Sequence, residues 1–204
     1  MRLILAGCAL VIASAAAAAA EPRDHSGFTR VSASAGTDVT VTVGPSFSVD
    51  VSGPGADRVV TRVSGQTLVV ERRRGISWGS SPRAQVRVTM PRVEGLSASS
   101  GADLVVTGVN GGDIELDASS GADLRVSGRC ASFRADASSG ADIHAQNLRC
   151  ENGSVDVSSG ADARVFASGR LDVDASSGGG VVAHGNPGIG NIDLSSGGSL
   201  RRAD

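Results

Sequence analysis

Six near-copies of one phrase, Ser-Ser-Gly-Ala-Asp and its variants, run down the C-terminal half of the chain. Their glycines are Gly101, Gly121, Gly140, Gly160, Gly178 and Gly197, so the spacings are 20, 19, 20, 18 and 19 residues. A period of that length is too long for a heptad and too short for a helical-pair repeat, and it suits one coil of a β-solenoid. The expected fold is therefore all-β: a single-domain parallel β-helix with about 19–20 residues per coil.

Superposing the copies makes the coil visible. Five residues before each glycine stand Leu96, Leu116, Ala135, Val155, Val173 and Ile192, and three before stand Ala98, Ala118, Ala137, Val157, Ala175 and Leu194. Three residues after come Leu104, Leu124, Ile143, Ala163, Val181 and Leu200; five after come Val106, Val126, Ala145, Val165 and Ala183, until Arg202 breaks the column. Polar residues separate these columns, so each copy alternates with period 2 and reads as strand, corner, strand, with one face inward. Glycine at the corner permits the positive φ of a sharp bend. By parity the second serine of each pair (Ser100, Ser120, Ser139, Ser159, Ser177, Ser196) is expected to point inward, with stacked hydroxyls bonded to one another or to corner backbone groups. A nucleophile is one residue beside one base, whereas these serines come in six copies with no recurring histidine, so their reading is structural.

Two aspartate columns flank the corner and should face solvent. Asp117, Asp136, Asp156, Asp174 and Asp193 lie four residues before the glycine; Asp103, Asp123, Asp142 and Asp162 lie two after. Carboxylates stacked about 4.8 Å apart in water repel by only about 0.9 kcal/mol before screening, which requires no metal. Solvated turn residues are the leading reading. Calcium held between coils by Asp103, Asp123, Asp142 and Asp162 is the alternative, although each corner offers few oxygen ligands.

Cys130 and Cys150 each stand ten residues before a corner glycine, at the same position on consecutive coils. Stacking in register would bring their Cα atoms to about 4.8 Å, inside the disulfide range; two buried thiols are the other reading. The compartment bears on that choice. Met1 and Arg2 lead into an apolar run and an alanine tract ending at Ala20, the layout of a cleavable secretory signal over residues 1–20, with the solenoid domain at 21–204. Leu5-Ala6-Gly7-Cys8 has a lipobox pattern, but too few residues precede Cys8 for a lipoprotein signal. No later stretch is long and apolar enough for a membrane helix, and an oxidising destination favours the disulfide.

Composition agrees with a thin-cored rod: 28 glycines, four Phe, one Trp and no Tyr leave few bulky side chains for a globular interior. Charge is uneven. Residues 21–93 carry ten Arg against six acids (+4), and 94–204 carry eight Arg against fifteen acids (−7), which gives no support to nucleic-acid binding.

The N-terminal half repeats less cleanly. Ser34-Ala35-Gly36-Thr37-Asp38 and Ser52-Gly53-Pro54-Gly55-Ala56-Asp57 look like eroded corners 19 residues apart. Segments 39–43, 47–51, 58–63, 68–72 and 85–90 alternate as strands. Between the last two lies a conspicuous loop carrying Arg72, Arg73, Arg74, Trp78 and Arg83. Arginine pairing and indole stacking would suit an anionic surface polymer or lipid headgroup; a solvated hairpin tip whose Trp covers the solenoid end is the plainer reading.

The strand-rich N-terminal part, the Pro91-to-Leu96 entry, the serial corners and the closing His184-Gly185-Asn186-Pro187 and Ile192-Asp193-Leu194-Ser195-Ser196-Gly197 together resemble the head GIN domain family of auto-transporter adhesins, over about residues 27–202. The resemblance implies a secreted or envelope-associated parallel β-helix with no catalytic residues to carry over. The functional expectation is an exported, non-enzymatic envelope or surface protein, an adhesin or binding scaffold, whose partner is an envelope or surface polymer, a protein, or another copy of itself. It requires no cofactor. The alternative is a calcium-assisted polysaccharide-active enzyme using Asp123, Arg125, Asp142 and Arg164.

Overall fold

The computed structural model describes residues 20–73 and 83–203. Seventeen strands, numbered in chain order, belong to one continuous sheet wound into a solenoid. Three short strands run antiparallel at one end: β1 (Glu21–Pro22), β4 (Ser48–Ser52) and β5 (Val59–Ser64). The others form two parallel stacks. Ahead of the corner lie β2 (Arg30–Ala33), β6 (Thr67–Arg72), β8 (Gly95–Ser99), β10 (Asp113–Ser119), the second halves of β11 (Asp123–Ala137) and β12 (Asp142–Val157), β14 (Arg170–Ala175) and β16 (Gly188–Leu194). After it lie β3 (Asp38–Val43), β7 (Gln85–Met90), β9 (Asp103–Asn110), the first halves of β11 and β12, β13 (Asp162–Ala167), β15 (Gly180–His184) and β17 (Ser199–Arg202).

The apolar columns stack in the expected register. Val31, Leu96, Leu116, Ala135, Val155, Val173 and Ile192 form one continuous line, and Val39, Leu104, Leu124, Ile143, Ala163, Val181 and Leu200 face it. All are buried except in the last coil, where Ile192 is 51% and Leu194 43% exposed because no further coil covers them. Backbone hydrogen bonds between coils and apolar contact within the cross-section therefore reinforce each other along the rod.

The corner corrects one expectation. The second serines do not point inward; Ser100, Ser120, Ser139, Ser159, Ser177 and Ser196 are exposed, with φ between 47° and 56°. Each is followed by a glycine at φ 67–83°, the paired positive φ of a type I′ turn. Strand parity ends one residue earlier than the sequence suggests, because the turn closes from Ala102 N–H to the Ser99 carbonyl (3.2 Å) and likewise in the later coils. The inward place at the corner belongs to Ala102, Ala122, Ala141 and Ala161. The glycine N–H completes the design by donating to the serine carbonyl of the next coil: Gly36 to Ser100, Gly101 to Ser120, and so on through Gly178 to Ser196, each at 3.1 Å.

The N-terminal coils depart from sequence order. The β2–β3 coil lies between the β6–β7 and β8–β9 coils, pairing with both. Its connection, Ser34–Asp38, is a true corner with Ala35 at φ 58° and Gly36 at φ 66°. Thr37 replaces the inward alanine and satisfies its buried hydroxyl by donating to the Ser34 carbonyl (3.0 Å). The second phrase, Ser52–Asp57, is not a coil corner: β4 and β5 run antiparallel, and the phrase joins them through a 3-10 turn at Ala56–Arg58. Phe28 and Phe47, with ring centroids 4.9 Å apart, pack at this end.

On the edge opposite the corner, β11 and β12 bend without breaking, and their register shifts between Arg125 and Ser127. Cys130 and Cys150 align there and are disulfide-bonded, with Cα atoms 4.6 Å apart.

Candidate binding surface

Outward side chains on a solenoid form ladders, since every second residue of a coil repeats one strand spacing away. After the corner, Asp38, Asp103, Asp123, Asp142 and Asp162 stand in register. The next outward line reads Thr40, Val105, Arg125, His144, Arg164 and Val182. Cations thus lie beside the densest stretch of carboxylates. Arg125 reaches Asp123 at 3.3 Å and Asp103 at 3.7 Å, and Arg164 Nη1 donates to His144 Nδ1 at 3.1 Å. Before the corner, Asp117, Asp136, Asp156, Asp174 and Asp193 form the second ladder, with Arg134 bonded to Asp136 at 3.1 Å.

Electrostatics follows from this stacking. Burial, then the charges of Asp123 and Asp38, push the Asp103 carboxyl above its usual value. Burial and acidic neighbours do the same to Asp117 and Asp156. Asp172 goes the other way, held low by hydrogen bonds from Arg170 and the Asn191 backbone.

Of the four carboxylates read as a calcium column, the structure draws Asp123 and Asp142 into a group with His144, one ligand atom of each lying within 4.8 Å of the others. Asp103 and Asp162 continue the ladder on either side without joining it. The same register brings Asp123, Asp142, Arg125 and Arg164 onto one patch. His144 was legible as an outward neighbour of Asp142, two residues away on the same strand, but its alignment with Arg125 depends on register between coils.

Arg72 ends β6, and Arg73 and Arg83 bracket the connection to β7; Arg74 and Trp78 lie outside the described residues. Both brackets are tied to the turn after β4. Arg73 N–H donates to the Arg58 carbonyl (2.8 Å), and the Arg83 carbonyl accepts from Gly55 N–H (3.2 Å). A hollow of about 410 Å³ beside them is lined by Ser34, Ala35, Val60, Glu71, Arg72, Arg73 and Ser100.

A larger groove, about 590 Å³, opens on the far edge, where Pro91–Glu94 crosses from β7 to β8. Val93, Ile114 and Phe133 underlie it, and Arg30 pairs with Glu115, and Arg92 with Glu94, at its rim. Sequence reasoning missed it because the crossing skips over the β2–β3 coil, and no local pattern encodes that step.

Residues 27–187 match the family described as "putative auto-transporter adhesin, head GIN domain". The chain belongs to that family. No curated protein matches it. The head GIN domain is similar in fold to a solved putative adhesin from Bacteroides fragilis (17% identity, TM-score 0.65, covering 92% of this chain and 97% of that one). It is also similar to a putative adhesin from Parabacteroides distasonis (14%, TM-score 0.53, 91% and 97%). A putative lipid binding protein from the same organism shares the fold as well (14%, TM-score 0.52, 93% and 98%). At these identities the likeness concerns architecture, and the ladders and grooves above are this head GIN domain's own.

Proposed function

We propose that the protein is exported and acts without catalysis, as a stiff rod that presents one end to a polymer or protein of the cell envelope or surface. The match to an adhesin family over residues 27–187 carries this reading. The surface suited to the task is the N-terminal corner. Arg58, Arg72, Arg73 and Arg83 are gathered there by backbone ties, while the rest of the rod bears the acidic ladders. Guanidinium groups held by a rigid scaffold bind carboxylate or phosphate groups in two-point contacts, and their fixed spacing lowers the entropy lost on binding. Among the described residues no helix is long and apolar enough to cross a membrane.

The test is co-sedimentation of the purified protein with cell-envelope fractions. A variant carrying Arg72→Gln, Arg73→Gln, Arg74→Gln and Arg83→Gln should bind at least about tenfold more weakly while melting at the same temperature. Equal binding by both forms would remove the corner as the site. Failure of the wild type to bind any envelope fraction would overturn the adhesive reading.

A further inference from the structure

We propose that Asp123, Asp142 and His144 form a binding site for a zinc-type divalent cation that clamps two consecutive coils. Asp123 is on β11, and Asp142 and His144 are on β12, placed side by side by the pairings of Asp123 with Asp142 and Arg125 with His144. Their ligand atoms lie within 4.8 Å of one another, and tetrahedral coordination at about 2.0–2.2 Å per bond needs separations near 3.4 Å, so binding requires these partly buried side chains to rotate together and Arg125 to release its 3.3 Å contact with Asp123. Two carboxylates neutralise a divalent ion, and the imidazole nitrogen selects among such ions. Calcium prefers six to eight oxygens, whereas zinc accepts one nitrogen and two oxygens and leaves a fourth position to water.

Beside His144 runs a groove of about 280 Å³, lined by Arg125, Ser127, His144 and Gln146 among others and by neither aspartate. Gln146, the next outward residue along β12, has its side-chain oxygen buried there without a hydrogen-bond partner.

The histidine's second nitrogen sets the affinity. Arg164 donates to Nδ1 at 3.1 Å, which leaves the proton on Nε2, 3.7 Å from the Asp123 carboxylate. A metal on Nε2 requires the other tautomer, with Nδ1–H facing an acceptor. Arg164, exposed at the surface, must therefore swing away on binding. That makes Arg164 a residue whose replacement should improve the site.

Titration calorimetry on the whole protein with zinc chloride, and separately with calcium chloride, tests the proposal. The expected result is saturable binding of one zinc per chain with much weaker calcium binding. His144→Ala and Asp123→Asn should each lose at least about tenfold in affinity, and Arg164→Glu, which offers Nδ1–H an acceptor, should gain about tenfold. His25→Ala and His184→Ala should leave binding unchanged, and circular dichroism should show every variant folded. Absence of saturable zinc binding in the wild type, or equal affinity in folded His144→Ala, would overturn the site. The outcome does not depend on whether the protein is an adhesin.

Discussion

At the scale of single residues, an aspartate ladder works against the coils that carry it, and Asp117 shows in which direction. Its carboxyl is pushed above the ordinary value of 3.8 by burial first and by Glu115 and Asp136 next, with Arg30 and Arg134 only partly offsetting them. An acid whose folded value exceeds its unfolded value binds its proton more readily in the fold. Ionising it therefore subtracts stability at neutral pH, and that loss vanishes as pH falls through the raised value and below 3.8. Asp117→Asn should consequently raise the melting temperature at pH 7 and leave it nearly unchanged relative to wild type at about pH 3. Equal gains at both pH values would show that the effect is not electrostatic. The corner serines teach a different lesson. Their number and spacing were readable, yet their direction was not, because parity holds only while the chain stays extended and the turn starts at Ser99. A non-glycine residue with positive φ carries a cost of order 1 kcal/mol. Five of the six serines, Ser100 to Ser177, tolerate it where the following glycine adds a hydrogen bond to the neighbouring coil.

At the scale of elements, the repeating coils were almost fully legible and the antiparallel cap was not. Four apolar columns of matched spacing leave one in-register arrangement, so Leu96, Leu116 and Ala135 had to stack. The phrase Ser52–Asp57 lies one period after a corner and ends in the same Gly-Ala-Asp, but it carries Pro54 and one extra residue, and its strand runs in the opposite direction. Direction is set by whichever neighbour β4 meets, which is β7, more than thirty residues further along. The cysteines were legible for the opposite reason, since their partner is one period away. Cys130 and Cys150 close a loop with a sequence separation of 20 across the bend where β11 and β12 lose register. Chain-entropy arguments give such a cross-link about 3 kcal/mol. Reduction, or Cys130→Ala with Cys150→Ala, should lower stability by roughly that amount in chemical denaturation, with the slope changing as the unfolded state expands. An unchanged midpoint would mean that stacking alone fixes the bend. The candidate cation site was half legible: the aspartates repeat, but His144 occurs once and gains its meaning from the coil beside it.

At the scale of the molecule, the rod is asymmetric in both charge and closure. Its N-terminal end is covered by β1, β4 and β5 and by the paired Phe28 and Phe47, while β16 and β17 have hydrogen-bonded neighbours on one side only. Stability in a solenoid is close to a sum of each coil's own contribution and its interfaces with neighbours, so a coil with one interface should open at lower cost than a coil with two. The last coil is weaker still. Ile192 and Leu194 occupy the core columns but remain about half exposed, so they return only part of the burial that Val155 and Val157 provide in the middle. Gly179 and Gly198 also stand where earlier corners have alanine, and a methyl group at either would run into the Val157 or Ala175 backbone of the preceding coil. These two corners therefore lack the methyl group that the earlier corners bury. Amide hydrogen exchange should therefore be fastest in β16 and β17, intermediate in β14 and β15, and slowest in β11 and β12, with about a hundredfold between the extremes. Zinc at the Asp123, Asp142 and His144 site would slow exchange in β11 and β12 and leave β16 and β17 untouched. Uniform protection along the rod would mean that it unfolds as one cooperative unit and that the exposed apolar end is no weaker than the centre.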